Sequence, residues 1–386
     1  MANLYRTSIY LGTDEEGKKR RKYISAHSED ELKEKVIIIK HDLKKNNFQF
    51  ETAYFDIWAD KWLNDYKIPS GIGTGTINQY ASAIKHLKNE FGHRELKDIR
   101  LDEFQKMINR LAQYNPKTNK PMAKATLSNI VKVMSSILNY AIANRVEGVV
   151  NFCKAVNIPK NAPVMKRRAL TEQEQEMIIN TPHRCQLAAM IMLFSGVRRG
   201  ELIPLTWSDI DLEKGLITID KSVDLQTGKA VLKDGGKSES AERFINIPPI
   251  LIDYLKEYKT INGVKTGLVC PNTYGKLQTK SSFDKMWRSY ILDLNIKYGY
   301  PDKDVSKFCP CKLPMKIEYF TSHYLRHTFA TMLYLQNIDF TTAMQLMGHK
   351  NIQVTINTYT EIKNNRFSIS DGYKKKLLCE YKIFDK

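Results

Sequence analysis

CQLAAMIMLFSGVRRGEL, residues 185–202, sets an apolar run against an abrupt polar turn. Cys185 to Phe194 reads as a helix. Ser195-Gly196 interrupts it, and Arg198 and Glu201 follow at once, so Arg198 lies near a buried turn. On the N-terminal side, Thr171 reads as the cap of a helix that starts with Glu172 and Glu174. On the C-terminal side, Leu216–Val223, Ala230–Lys233 and Arg243–Ile247 alternate like three strands of one antiparallel meander. Helical segments return at 250–258, 281–293, 323–336 and 340–347. This half is α-rich with one small sheet.

The preceding segments have a different pattern. Leu4–Leu11 and Lys18–Ser25 read as strands about a turn at Thr13-Asp14-Glu15-Glu16-Gly17. Ser28 is placed to cap a helix through Leu32, Val36, Ile39 and Leu43, with Glu31 completing a capping box. Further on, Phe55, Trp58, Trp62 and Tyr66 share one helical face, and Ile77, Tyr80, Ile84, Leu87 and Phe91 share another. Leu101, Phe104, Ile108 and Leu111 mark a third helix, and Leu127, Ile130, Met134, Leu138 and Ala141 a fourth. Four such helices make a bundle whose aromatic stripes are core. PKNAPVMKRR, residues 159–168, reads as an extended linker. The fold class expected is α+β, mainly α. Its parts are a small β-sheet-plus-helix domain (1–48), a helical bundle (49–158), a linker (159–168) and an α-rich domain with a small antiparallel sheet (169–386).

The chain has 386 residues and a formal charge of +18, from 60 Lys and Arg against 42 Asp and Glu. Such an excess favours a polyanionic partner, because each cation that pairs with a phosphate releases condensed counterions. Charge alone leaves ribosomal, RNA-binding and membrane-surface proteins open. The N-terminus has no signal-peptide pattern, and no run approaches a membrane span, so a cytoplasmic protein is expected. Six scattered cysteines, at 153, 185, 270, 309, 311 and 379, do not make a disulfide framework. Cys309-Pro-Cys311 resembles half of a metal clip, but no second pair follows, so no metal is expected.

Five polar segments interrupt the apolar helices of the second half. They are SGVRRGEL at 195–202, a Gly-Gly-Lys-Ser loop with Lys237, HYLRHTFAT at 323–331, LMGHK at 346–350 and INTYT at 356–360. Each has a bland reading when taken singly. Arg198 pairs with Glu201, Lys237 is solvated, His323 and His349 are packed or surface imidazoles, and Tyr359 is core. The spacing of His323 and Arg326 puts both on one face of a helix.

Taken together, in this order, the five segments resemble the tyrosine recombinase (phage integrase) family. Its pattern is an Arg in a T/S-G-hydrophobic-R-x-x-E-L turn, a hairpin Lys, His-x-x-Arg, Gly-His and a Tyr. The resemblance covers about residues 165–365. It implies catalytic roles for Arg198, Lys237, His323, Arg326, His349 and Tyr359, with Glu201 in support. Lys237 fits through Arg243 and Pro248, and Lys233 is close enough to compete for its role.

The chemistry needs these residue types. Guanidiniums of Arg198 and Arg326 can clamp the non-bridging oxygens of a phosphodiester bidentately. A phenol has a pKa of about 10, so attack by Tyr359 needs proton removal or a positive field, with His323 as the candidate base. Lys237 would protonate the departing 5′-oxygen, and His349 would hydrogen-bond a phosphate oxygen. Glu201 would hold a basic or imidazole partner. The product would be a 3′-phosphotyrosine bond that another strand's 5′-hydroxyl can resolve, with no cofactor needed.

The resemblance also makes residues 49–158 a core-binding domain and residues 1–48 similar to the arm-binding domain of conjugative-transposon integrases, a three-stranded sheet with a helix. Lys18, Lys19, Arg20, Arg21 and Lys22 then become DNA contacts, where alone they read equally as a solvated strand edge. The partners implied are double-stranded DNA at core and arm sites, three further copies in a homotetramer, and an excisionase or DNA-bending accessory protein. Two other readings stay open at this point. A type IB topoisomerase uses similar chemistry on one duplex, and a non-catalytic DNA-binding protein would keep Tyr359 as core.

Overall fold

The computed structural model describes residues 5–13, 19–45, 53–116, 118–164, 168–226, 228–233, 242–301, 314–349 and 351–364. Lys18, Lys237, Cys309, Cys311 and Cys379 lie outside the described residues. The chain divides into two compact units, residues 1–165 and 166–386.

In the first unit, β1 (Tyr5–Thr13) and β2 (Lys19–Ala26) form an antiparallel hairpin with a register shift between Tyr10 and Gly12. Alternation along β2 buries Ile24 and Ala26 and exposes Tyr23 and Ser25, and at the start of the strand Arg21 and Lys22 are both exposed. The three-stranded sheet implied by resemblance is a two-stranded one among the described residues. Helix α1 (Glu29–Lys45) follows. Ser28 Oγ accepts from Glu31 N at 3.2 Å, as a capping residue does. The Glu31 carboxylate accepts from His27 N at 2.9 Å, one residue outside the box expected from sequence.

Helices α2 (Phe55–Lys61), α3 (Thr74–Phe91), α4 (Leu101–Gln113) and α5 (Lys124–Ala143) enclose a core built from the apolar stripes seen in sequence. Tyr66 departs from its stripe. The chain winds as a π-helix from Trp62 to Lys67, which widens the turn, and Tyr66 comes out half exposed, stacked on Tyr140 at 5.1 Å. In the stretch at 159–168, packing contacts are made by the described residues on either side of 165–167. Ala162 is buried in the bundle core, and Pro163 O accepts from Lys124 N at 2.9 Å. Arg168 forks onto Glu174 with two contacts of 2.7 Å.

The second unit is assembled around α7 (Gln186–Ser195), in which every residue is buried. A helix that is apolar on all sides belongs at a centre. Its few polar groups are met locally, since Ser195 Oγ donates to Ile191 O at 2.6 Å and Gln186 Nε2 to Ile179 O at 2.6 Å. Before it runs α6 (Glu172–Ile179), which Thr171 caps as expected: its hydroxyl accepts from Glu174 N at 3.2 Å. After it, Gly196 takes φ +63°, and an added Cβ would stand 2.2 Å from the Phe329 ring. That is why the break in 185–202 is a glycine.

The short helix α8 (Arg199–Leu202) leads to β3 (Ile210–Asp211), β4 (Leu216–Ile219), β5 (Val223–Gln226), β6 (Lys229–Leu232) and β7 (Arg243–Asn246). The single meander expected from sequence is two sheets. β4 lies between β3 and β7, whereas among the described residues β5 and β6 pair only with each other. The expected strand Leu216–Val223 is broken at Asp220 and Lys221, where Lys221 Nζ is held by Asp209 Oδ1 at 2.9 Å. Helices α9 (Pro249–Asn262), α10 (Lys280–Gly299), α11 (Ser322–Leu335), α12 (Phe340–Met347) and α13 (Ile352–Asn364) complete the unit. Trp287 Nε1 on α10 donates to Phe320 O at 2.9 Å and so fixes the approach to α11. No helix among the described residues is long and apolar enough to cross a membrane. Cys153, Cys185 and Cys270 are buried thiols.

Candidate active site

The end of α12 organises the site. Asp339 caps the start of that helix by accepting from Thr341 N and Thr342 N, both at 2.9 Å. At the other end its last carbonyls need donors, and three arginines from three elements supply them. Arg243 Nε, on β7, donates to Leu346 O at 2.9 Å. Arg326, on α11, donates to Met347 O, and Arg198 Nη2, at the cap of α8, donates to Gly348 O at 2.7 Å. Arg326 also reaches across to Gly196 O at 2.6 Å, the turn that ends α7. The negative end of the α12 dipole favours cations there.

Glu201 is the carboxylate of this cluster. It accepts from Arg198 Nη1 at 2.8 Å, from Arg198 N at 2.8 Å and from Arg243 Nη2 at 2.7 Å. Burial alone would raise its pKa. The charge and hydrogen bonds of Arg243, then of Arg198, outweigh that and hold it down at about 2. Arg326, 4% exposed, is pulled down to about 9, first by burial and then by Arg198. Three guanidiniums face one carboxylate, an excess of two positive charges in a largely buried place. Arg198 and Arg326 each commit two of their roughly five N–H donors to these protein acceptors.

Gly348 and His349 follow the helix. Gly348 takes φ +60°, and a Cβ there would meet Arg243 Nη1 at 2.8 Å. The left-handed turn brings His349 N to Met344 O at 3.0 Å and places the imidazole, half-buried, with Nδ1 2.8 Å from Thr355 Oγ1 on α13. Burial, then Arg326, Arg198 and Arg243, lower the His349 pKa to about 4, so the ring is neutral at pH 7.

The other described candidates are His323 on α11, Tyr359 on α13 and Lys233 just past β6. His323 is exposed in the first turn of α11, although Arg326 one turn on is buried. It lines a cleft of about 710 Å³ together with Arg199, Asp284, Trp287, Arg288 and Tyr319. Arg199 turns away from its neighbour Arg198, pairing with Asp284 at 2.8 Å and lying over the Phe283 ring. Tyr359 is 4% exposed on α13, with its ring edge-on to Tyr334 at 5.2 Å and against Phe340 at 5.2 Å. Its hydroxyl is buried without a hydrogen-bond partner among the described residues, and burial pushes its pKa up. Lys233 is exposed just past β6, and its backbone N–H donates to Ser222 O at 3.0 Å.

Arg243 escaped the sequence reading as a site residue. The signal was present, since Arg243, Ile245 and Ile247 alternate toward the core, and an arginine on an inward face needs a carboxylate partner. That partner is Glu201.

Comparisons with known proteins agree with this architecture. The phage integrase family model matches residues 168–366, more than half of the chain, and the phage integrase N-terminal SAM-like domain matches 54–112. A tyrosine recombinase XerC-like protein of Caldanaerobacter subterraneus subsp. tengcongensis is 23% identical, over 93% of this chain and 92% of its own length. The integrase of Staphylococcus phage L54a is 24% identical, over 86% of this chain and 94% of its own. Two solved structures share the fold. The Tn1549 transposon integrase in complex with circular intermediate DNA has a TM-score of 0.61 and 18% identity, covering 80% of this chain and 99% of that one. A lambda integrase dimer bound to a COC' core site has a TM-score of 0.56 and 19% identity, covering 96% and 97%. The chain belongs to the phage integrase family, and it is a tyrosine recombinase.

Proposed function

We propose that this recombinase integrates and excises a mobile element, with Tyr359 as nucleophile and Arg198, Arg326 and His349 as the holders of the scissile phosphate. One observation carries the reading. The excess of two positive charges at the end of α12, with donors to spare on Arg198 and Arg326, is matched by an anion that has several acceptor oxygens. A phosphodiester is such an anion, and the DNA bound by the Tn1549 and lambda integrases supplies the precedent.

In the reaction, the phenolate of Tyr359 attacks phosphorus and the bond to the 5′-oxygen breaks. His323 takes the phenol proton, and Lys237 gives one to the departing 5′-oxygen. The arginines hold the charge that develops on the non-bridging oxygens. Glu201 keeps Arg198 and Arg243 in place. The ester retains the energy of the cut bond, so a 5′-hydroxyl of another strand reverses the step and completes the exchange. In the conformation described, the Tyr359 hydroxyl is sheathed, so α13 must release it before attack. Residues 49–158 would clamp core-site DNA and residues 1–48 would bind arm sites, within a homotetramer assisted by a DNA-bending or excisionase protein.

The test is covalent capture on a nicked core-site duplex from the element's ends, since the nick lets the short fragment that bears the new 5′-hydroxyl escape. Wild type is expected to accumulate a protein–DNA adduct, and Tyr359→Phe to bind the duplex but form none. An adduct that persists on Tyr319, Tyr324 or another tyrosine would overturn the nucleophile. Strand exchange between two marked duplexes separates a recombinase from an enzyme that only relaxes one.

A further inference from the structure

The contact of His349 with α13 is not used by the chemistry above, and it bears on which proton the imidazole presents. A neutral imidazole has one N–H and one lone pair, and the partner of one nitrogen decides which the other carries. His349 Nδ1 lies 2.8 Å from the hydroxyl of Thr355, which is 1% exposed and is built into the second turn of α13. A hydroxyl can serve as donor or acceptor, so the bond alone permits either tautomer.

The surroundings choose between them. The charged groups coupled to the ring are Arg326, Arg198 and Arg243, with Glu201 opposing, and together with burial they keep it neutral. A neutral ring beside a phosphate is useful only as a donor, because a lone pair toward an anion repels. We propose that Thr355 is a positioning residue, whose hydroxyl donates to Nδ1 of His349 and holds the imidazole as the Nε2–H tautomer for the scissile phosphate. This rests on the reading of His349 as a phosphate ligand.

The experiment uses the full chain labelled with ¹⁵N-histidine and two-bond ¹⁵N–¹H correlation, with the His349 signal assigned by its loss in His349→Gln. Wild type is expected to show the Nε2–H pattern. Thr355→Val, which keeps the side-chain shape, should lose the bias toward that pattern. It should also slow adduct formation on the nicked duplex by roughly 10- to 100-fold, less than outright loss of an oxyanion donor, at unchanged DNA affinity. Thr355→Ser should restore both. An Nδ1–H pattern in wild type, or an unshifted pattern in Thr355→Val, overturns the proposal. If Thr355→Val does not fold, the wild-type pattern decides by itself. Failure of the underlying reading is seen separately, as wild-type cleavage by His349→Gln.

Discussion

Arg198 and Glu201 were legible in SGVRRGEL because a fork and a carboxylate three residues apart at a helix start can meet. Their third partner, Arg243, was hidden by its place in a strand 42 residues on. Arg198→Lys keeps the charge and loses the fork, so cleavage should fall by ~10²-fold or more with little change in affinity. Single-turnover adduct formation measures the first and a DNA titration the second. If Arg199→Lys were the damaging change, the register of the turn would be off by one. Glu201→Gln leaves the buried guanidiniums of Arg243 and Arg326, and the partly exposed one of Arg198, without a counter-charge and should destabilise the fold by about 3–5 kcal/mol in urea unfolding. The acid limb follows from the same residue. Its folded pKa of about 2 lies below the ordinary 4.5, so its stabilisation is complete above pH 4.5 and fades as pH falls toward 2. Glu201→Gln should flatten that part of the stability–pH curve. An unchanged slope would locate acid sensitivity elsewhere.

Among elements, helices were far easier to foresee than sheet pairing. The apolar spacing of α9, α10, α11 and α12 specifies each helix locally, and all four start within a residue of their expected positions, although α9 and α10 run on past the expected ends to Asn262 and Gly299. Alternation in 216–247 marks strands but not partners. That is why β5 and β6 leave the meander once Lys221 is tied to Asp209. The segment between β6 and β7 carries the proton-donor question, because Lys233 and, in sequence, Lys237 both fall in it. With a 5′-sulfur leaving group, which needs no proton, cleavage by Lys237→Ala should be largely rescued. Rescue of Lys233→Ala alone would transfer the role. Gly348→Ala tests the end of α12, since its Cβ would press on Arg243 and the left-handed backbone costs about 1–2 kcal/mol. Thermal unfolding should register that loss and adduct formation a larger one. For Tyr359 the sequence offered core packing only as the bland alternative, and its contacts with Tyr334 and Phe340 were not legible, because a motif marks a candidate nucleophile and not its resting contacts.

At the scale of the molecule, the charge of +18 pointed to a polyanion and could not say where it lies. Arg21 and Lys22 project from the hairpin of β1 and β2, as either a DNA contact or a solvated edge would. Deleting residues 1–48 should leave Tyr359 able to cleave core-site DNA. Replacing Lys19, Arg20 and Arg21 by Ala should weaken binding to the distal repeats, lower the salt dependence there, and spare the crossover site. Equal loss at both sites would make the run general electrostatics, and no loss would make it a solvated edge.

The sheathing of Tyr359 by Tyr334 and Phe340 has a thermodynamic corollary. Burying a ring of this size stabilises the resting state by roughly 1.5–3 kcal/mol, and DNA that must free the hydroxyl binds more weakly by up to that amount. On the role proposed for Tyr359, the apparent affinity for a cleavable core site should be the intrinsic affinity reduced by the rarity of the released state. Loosening the sheath with Phe340→Ala, at a residue that is itself 45% exposed, should raise affinity and speed adduct formation together.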